Sequence, residues 1–269
     1  MMFDTHCHLN FKAFDGHVDR VIEDAKKIGV THIVIPGTDS ETSKKAVEIA
    51  DRFENVYAAV GIHPHHVYEN VKSEIQEVER FLSHQKVVAI GEVGVDRHYY
   101  QRTKYEKYTV DENFITLQKE ILKKCIDTSI NRNKSLIIHN REAKEDLFEV
   151  LNEKWDRKLE GRTVFHCCEP DTELLKFAME NKIFIGVDGD VTYRKDKLEF
   201  IKKVPLSMLV LETDSPFLLP EPLKSEKKYP NEPKNLKLIA EFIAQLTNVS
   251  IDRLIDTSTE NAMKLFRIS

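Results

Sequence analysis

Six side chains of metal-binding types follow short apolar segments in this sequence. They are His6, His8, Glu92, His139, His166 and Asp214. Because the carboxyl ends of the strands of a parallel barrel converge on one face, we expect these distant residues to meet there. Four imidazoles and two carboxylates are enough to hold two divalent ions about 3.5–4 Å apart, as in two-metal hydrolases. The pattern therefore predicts a metal-dependent hydrolase.

Each of these residues also has a simpler interpretation, and their joint pattern favours the metal site. His6 and His8 are two apart in an extended segment, so both side chains point to the same side. An isolated Glu92 would most often lie in a surface loop, and each of the later histidines would be an ordinary, partly buried one. Asp214 precedes Ser215 and Pro216, a position typical of a turn. Ligand types at five separate strand ends outweigh these interpretations.

Other residues near the predicted strand ends are candidates for substrate contacts. His63 follows the third strand and is expected to line the pocket, whereas His65 and His66 are expected to be solvated loop residues. Arg141 comes two residues after a predicted ligand and would clamp a phosphate through two hydrogen bonds. A salt bridge from Arg141 to Glu145 on a helix is an equal alternative.

Two basic segments follow the fourth and the eighth predicted strands. Residues 97–108 mix arginines and lysines with four tyrosines and include Tyr99 and Arg102, and residues 224–237 contain five lysines. Cationic groups interleaved with aromatic rings are typical of channels for single-stranded nucleic acid. A single-stranded nucleic acid is therefore the expected partner, and a solvated lysine-rich surface is the alternative for residues 224–237.

Apolar strand candidates alternate with helical patterns along the whole chain. The helical patterns occupy residues 17–28, 74–82, 115–130, 147–155, 174–179, 198–201, 236–246 and 251–255, with a last helix through 262–266. The strand candidates are Met1–Thr5, His32–Pro36, Val56–Val60, Val87–Gly91, Ser135–Ile138, Thr163–Phe165, Ile183–Val187 and Met208–Leu211. This alternation predicts a single (β/α)8 TIM barrel over residues 1–269 with parallel strands. A doubly wound open sheet is less favoured because the first strand is not followed by G-x-G-x-x-G.

Composition and charge narrow the class of protein further. The chain is 41% hydrophobic and 32% charged, with a net charge of −5 and a mean hydropathy of −0.42. No segment approaches the roughly 20 apolar residues that cross a bilayer, and no signal peptide is recognisable. The four cysteines lack C-x-x-C spacing and are expected to be buried and reduced. We expect a cytoplasmic protein with no membrane contact and no obligate protein partner.

The chain resembles the TatD family of metal-dependent deoxyribonucleases, which have amidohydrolase-like barrels. The order and spacing of its motifs agree with those of the family over essentially the whole chain. The matching segments are DTHCHL at 4–9, GIHP at 61–64, GEVGVD at 91–96, IHNR at 138–141, FHC at 165–167, LETDSP at 211–216, NEP at 231–233 and NAMKLF at 261–266. The resemblance implies that the six residues above bind two metal ions. Sites of mixed imidazole and carboxylate ligands accept Zn, Mn, Ni or, less readily, Mg, so the sequence leaves the metal open. It also implies that Glu92 bridges them, and that Asp214 orients or deprotonates the attacking water. The implied activity is hydrolysis of DNA phosphodiester bonds, as a 3′→5′ exonuclease.

The chain departs from the family pattern in loops that would face substrate. Cys168-Glu169-Pro170 replaces a small Ser-Gly pair, and Tyr229-Pro230 stands where an Arg is common. These differences bear on substrate preference, so an amidohydrolase or lactonase acting on a small metabolite is the main alternative. Some such barrels bridge their metals with a modified lysine, but the nearest lysine here, Lys86, precedes the fourth strand. A barrel that binds nucleic acid without catalysis is a third possibility, which the complete ligand set disfavours.

Overall fold

The computed structural model describes residues 1–67, 71–100 and 109–268. Eight parallel strands pair in sequence order in one sheet. Hydrogen bonding from the Thr5 amide to the Leu211 carbonyl, and a bridge between Cys7 and Ser215, join the last strand to the first. The strands are β1 Met2–Asp4, β2 Val30–Pro36, β3 Val56–Val60, β4 Val87–Asp96, β5 Ser135–Arg141, β6 Thr163–Phe165, β7 Phe184–Val187 and β8 Leu209–Leu211. The predicted (β/α)8 TIM barrel is confirmed.

Two strands are longer than predicted at their carboxyl ends. β4 and β5 remain paired as far as Asp96 and Arg141, whereas the apolar runs stop at Ile90 and Ile138. The backbone ladder continues after the uninterrupted apolar runs have ended. Several polar side chains of these extensions, such as Glu92, His139 and Arg141, line the open mouth of the barrel. Glu92 consequently lies inside a strand and not directly after one.

Helices connect the strands in the described part of the chain. They are α1 Val18–Lys27, α2 Ser40–Ala50, α3 Val71–Arg80, α4 Glu112–Arg132, α5 Lys144–Lys154, α6 Thr172–Glu180, α7 Lys195–Ile201, α8 Leu236–Thr247 and α9 Ile251–Phe266. The sequence patterns had not singled out α2, whose start is capped by the carboxylate of Asp39 accepting from the amide of Thr42. The two short helices predicted at the C-terminus are one continuous helix. None of the helices in the described ranges is long and apolar enough to cross a membrane.

The barrel interior is filled at one end and polar at the other. One side chain from each strand packs at its centre, and α9 adds Leu265 and Phe266 to the same cluster, closing the end where the strands begin. The strand residues are Phe3, Val34, Ala59, Ala89, Ile137, Val164, Phe184 and Val210. Because this end is sealed by apolar packing, only the carboxyl end of the strands is open to a ligand.

Candidate metal centre and active site

Four of the six predicted ligands converge at the mouth of the barrel, although they come from β4 and from the segments after β1 and β8. The Nε2 atoms of His6 and His8 lie 3.1 Å apart. Oε2 of Glu92 lies 3.4 Å from Nε2 of His6 and 3.6 Å from Nε2 of His8. Oδ1 of Asp214 lies 3.8 and 3.5 Å from the same two nitrogens. These four donor atoms form one compact group.

The remaining ligands gather around the other oxygen of Glu92. Oε1 of Glu92 lies 2.8 Å from Nδ1 of His139 and 3.6 Å from Nε2 of His166. Nε2 of His166 is also 4.0 Å from Oδ1 of Asp214, which connects this group to the first one. The structure therefore brings all six residues together, with Glu92 between two groups of imidazoles.

The donor atoms have the spacing that a divalent ion requires. A tetrahedral site with ligand atoms about 2.0–2.2 Å from the ion has edges of about 3.3–3.6 Å. The five distances measured in the first group run from 3.1 to 3.8 Å. All four residues of this group are largely buried, and unpaired buried nitrogens and carboxylates would be costly without a cation. The residues present thus fit a metal ion.

The central position of Glu92 results from an irregularity in β4. The register between β4 and β5 shifts between Ile90 and Val93, which leaves Gly91 and Glu92 outside the ladder. The amide of Glu92 instead donates to the carbonyl of Gly37, after β2, so the backbone crosses the end of β3. It passes so close to Gly61 that a Cβ there would lie 2.6 Å from the carbonyl carbon of Gly91. This path carries the carboxylate to the middle of the mouth.

The loop after β8 holds Asp214 against the first strand. The amide of Asp214 donates to the carbonyl of His6 at 2.9 Å. Just before it, the buried carboxylate of Asp4 accepts from the amide of Thr213 at 3.0 Å and from its hydroxyl at 2.6 Å. Asp214 itself has a φ of 50°, an uncommon conformation for a residue other than glycine. These hydrogen bonds stabilise this conformation of Asp214 and fix its carboxylate beside the imidazoles of His6 and His8.

Two further carboxylates, which the sequence analysis did not assign, support the histidines of β5 and β6. Oδ2 of Asp96 accepts a hydrogen bond from Nε2 of His139 at 2.9 Å. Oε1 of Glu212 lies 3.0 Å from Nδ1 of His166. Such partners set the tautomer and orientation of metal-binding imidazoles. A signal for both was present, because Asp96 is four residues after Glu92 and Glu212 two before Asp214, which places each pair on one side of an extended strand.

Burial and neighbouring charges shift the pKa values in the site in opposite directions. Burial lowers the pKa of His139, but the carboxylates of Asp96 and Glu92 outweigh it and raise the pKa to about 10. Burial also lowers the pKa of His166, but the carboxylates of Glu212 and Glu92 outweigh it and raise the pKa to about 9. For Glu92 burial favours the neutral form, yet the surrounding imidazoles hold the pKa of its carboxyl well below the usual range. The site therefore stabilises a carboxylate at its centre, in the charge state that binds a cation.

The predicted substrate residues lie at different places around the mouth. His63 and Arg141 line a cavity of about 420 Å³ that opens onto the ligand cluster, with Nε2 of His63 3.7 Å from Oε1 of Glu92. Tyr99 is 48% exposed and is not among the residues that line this cavity. Arg102 lies outside the described residues, as do its neighbours from 101 to 108.

The expectation that His65 and His66 are solvated is wrong, since both side chains are buried. Nε2 of His65 lies 3.4 Å from Oδ1 of Asp96, and Nδ1 of His66 lies 3.4 Å from Oδ2 of Asp39. Nδ1 of His66 also lies 2.6 Å from the carbonyl oxygen of Thr38. Polar partners of this kind make burial of an imidazole tolerable, and they cannot be read from a loop sequence.

Arg141 faces the cavity without the salt bridge that had been considered for it. No carboxylate of the described residues lies within 4.0 Å of its guanidinium group, and Glu145 instead contacts Lys144 at 3.5 Å. Nη1 of Arg141 donates to the hydroxyl of Tyr100 at 3.0 Å, and the guanidinium lies 5.0 Å from the centre of that ring. Its charge is thus held in place with no anionic partner in the parts of the chain that are described.

Three of the five lysines in the segment 224–237 contact neighbouring side chains of the described chain. In the segment 224–237, Lys234 pairs with Glu232, Lys237 lies 3.9 Å from Glu241, and Lys224 packs over the ring of Tyr193 at 3.4 Å. Lys86 donates to the carbonyls of Phe53 and Glu54, away from the ligand cluster. A lysine bridge between metals is therefore not available from Lys86.

The barrel with its buried histidines and carboxylates defines a metal-dependent hydrolase. The family model for TatD related DNase matches residues 3–267, and the chain belongs to this family. The chain is 35% identical, over the full length of both proteins, to a Bacillus subtilis protein named "Uncharacterized metal-dependent hydrolase YabD". The crystal structure of YjjV, a TatD homologue from Escherichia coli, superposes with a TM-score of 0.87 at 24% identity, covering 100% of this chain and 98% of that one. A TatD family hydrolase from Entamoeba histolytica gives 0.81 at 22% identity, covering 98% of each chain.

Proposed function

We propose that this protein hydrolyses phosphodiester bonds of DNA as a 3′→5′ exonuclease, with two divalent ions held by His6, His8, Glu92, His139, His166 and Asp214. The observation that carries the proposal is the division of the donor set by Glu92. Its Oε2 faces the nitrogens of His6 and His8, and its Oε1 faces those of His139 and His166. One carboxylate between two sets of imidazoles is the arrangement expected of a bridging ligand.

Two bound ions would lower the pKa of a water molecule toward about 7 and neutralise charge that develops on the phosphate oxygens. The protein's part is to orient the reacting groups. Asp214, held by its amide at the carbonyl of His6, lies at the edge of the cluster. Its side chain is 14% exposed, the largest value in its group of four donors. We assign to its carboxylate the acceptance of the proton from the attacking water.

Recognition of a phosphate is assigned to Arg141 at the wall of the cavity. A guanidinium presents paired donors that match two phosphate oxygens. Because no carboxylate of the described chain neutralises Arg141, its charge is available to an anionic substrate. Two divalent cations would balance the carboxylates of Glu92, Asp214, Asp96 and Glu212, so the loaded centre would not repel an anionic substrate despite the net charge of −5 on the chain.

The decisive assay uses metal-reconstituted protein and single-stranded DNA labelled at one end. For a 3′→5′ exonuclease, a 5′ label should appear in a ladder of progressively shorter strands, while a 3′ label should appear at once in mononucleotide. RNA of the same sequence and a panel of small esters and amides are the competing substrates. Turnover of the small esters or amides without any cleavage of DNA would reject the proposal in favour of a small-molecule hydrolase.

A conservative variant separates the enzyme from a contaminating nuclease. Asp214→Asn keeps the size of the side chain and the backbone bond to His6 but removes the proposed proton acceptor. Loss of cleavage in Asp214→Asn, with the exposed Glu226→Gln variant prepared in parallel and fully active, assigns the activity to this site. Equal activity in both variants would contradict the role of Asp214.

A further inference from the structure

The mouth of the barrel carries an aromatic shelf next to the metal centre, formed by Phe11 and Phe217. Phe11 follows β1 and stacks on the ring of His8, with centroids 4.4 Å apart and planes inclined by 17°. Phe217 follows Asp214 by three residues, and its ring meets those of Phe11 and His8 at steep angles, with centroid distances of 6.1 and 6.4 Å. Both phenylalanines line the cavity that contains the ligands.

Phe217 is unusually exposed for a side chain in this position. It is 45% exposed, and among the described residues no aromatic ring stacks parallel to it. Several other large apolar side chains of the described chain are also exposed, such as Met179 and Tyr229, but these do not line the cavity. An apolar ring left open beside a metal ligand is available for contact with the substrate.

The two sides of the mouth differ in chemistry. β1 and β8 are neighbours, and β5 lies across the barrel from β1 in the circular order of strands. The shelf and Leu218 give the side near β1 and β8 an apolar surface, while Arg141, at the end of β5, places a cation across from it. Arg194, after β7, and Glu169, after β6, line the cavity between these two sides. A nucleotide has the same polarity, with a planar base at one end and a phosphate at the other.

Resting on the proposed function, we propose that Phe217, supported by Phe11, stacks against one of the bases that flank the scissile phosphodiester bond. A phosphate at the metal centre would bring the neighbouring base to the shelf, because Phe11 packs directly on the imidazole of His8. Every base has a π-face, so this contact distinguishes nucleotides from base-free esters without selecting a sequence. The shelf is thus a subsite for the base, separate from the ligand cluster.

The test compares short DNA substrates with and without a base at each position flanking the cleaved bond. Removing a stacking ring weakens binding by about 1–3 kcal/mol per base, or roughly 5- to 150-fold. In Phe217→Ala we expect KM for the intact substrate to rise by about that factor with kcat nearly unchanged. KM for the substrate with the abasic position should change little. Phe217→Trp should keep the preference for the base, and Met179→Ala, an exposed apolar side chain on α6 away from the cavity, should behave as wild type.

A binding measurement gives a second readout that needs no turnover. With metal-loaded protein, a dinucleotide that contains 2-aminopurine and a hydrolysis-resistant linkage should lose fluorescence on binding because its base stacks, and Phe217→Ala should restore the signal. Equal effects of Phe217→Ala on intact and abasic substrates, or unchanged quenching, would reject the shelf while leaving DNA hydrolysis intact. Absence of any DNA cleavage by the wild-type protein would reject the proposed function and the shelf together.

Discussion

Replacing Asp96 by asparagine should change the metal centre through its hydrogen bond to His139, without replacing any of the predicted ligands. Oδ2 of Asp96 accepts from Nε2 of His139 at 2.9 Å and from the hydroxyl of Tyr100 at 3.0 Å. Oδ1 accepts from the amide of His98 at 2.7 Å. Because the backbone amide of His98 can only donate, the side-chain oxygen in Asp96→Asn must stay toward it. The NH₂ group must then face His139.

The imidazole of His139 then has to change its tautomer. Its Nε2 would accept from the new amide, so the proton would move to Nδ1, the atom that faces Glu92 at 2.8 Å. A protonated Nδ1 has no lone pair for a metal, and the second donor group loses one of its three protein ligands. Changes to such outer partners cost about 10- to 100-fold in metal affinity or activity. We expect a loss of this size for one of the two ions and little change for the other.

Calorimetric titration of the metal-free protein with Zn²⁺ or Mn²⁺ measures the two affinities separately. Asp146→Asn is the matched control, since Asp146 is a mostly buried carboxylate that pairs with Arg97 at 2.5 Å and contacts no predicted ligand. Thermal unfolding of both variants accounts for any general loss of stability. Unchanged affinity for both ions in Asp96→Asn, or equal weakening of both, would refute the assignment of Asp96 to the tautomer of His139.

Three further substitutions test other parts of the molecule. Glu92→Ala should abolish binding of at least one ion, as measured by metal content after dialysis, and all metal-dependent turnover in the activity assay. Two bound ions with full activity would show that another residue bridges them. Asp188→Asn should lower the free energy of unfolding by about 3 kcal/mol at neutral pH, because Lys197 is buried 3.1 Å from Asp188 and would keep only Asp190, at 2.6 Å. Burial raises the pKa of Asp188, but the ammonium of Lys197 outweighs it and holds the pKa below its usual value of 3.8, so this stabilisation should be present above that pH and disappear as the pH falls below it. Denaturant unfolding from pH 3 to 7 measures the difference, and a gap that widens in acid would contradict the ion pair. Arg141→Ala should raise KM for DNA in steady-state assays, with a smaller effect on bis-p-nitrophenyl phosphate, and Arg141→Lys should recover only part of the loss, because lysine keeps the charge but not the paired donors. A wild-type KM in Arg141→Lys would argue against a bidentate phosphate contact, and a wild-type KM in Arg141→Ala against any contact.

Much of the architecture was readable from local sequence. Short apolar runs marked all eight strands, most of them rich in Val, Ile or Leu, because strands buried on both faces of a barrel need apolar side chains on both sides. The helix α2 was not predicted from these patterns. Its sequence, Ser40–Ala50, is rich in polar residues, and its start depends on the side chain of Asp39, which forms its capping hydrogen bonds only once the helix exists.

The sequence by itself determined which residue types lie at the mouth of the barrel. In a parallel barrel every strand end reaches the same face, so the position of His6, His139 and Asp214 after apolar runs was enough to expect them together. Alternation along an extended strand would also have identified Asp96 and Glu212, since it depends only on spacing in the chain.

Only the tertiary structure decided how these groups are arranged. The division of donors around Glu92 depends on a register shift in β4 and on a hydrogen bond to Gly37, contacts between segments far apart in the chain. The unneutralised charge of Arg141 and the exposed ring of Phe217 likewise depend on which neighbours of the described chain approach them. Strand propensity and spacing are local properties, whereas the distances between ligands, their hydrogen-bond partners and the shape of the cavity arise from packing of the whole barrel.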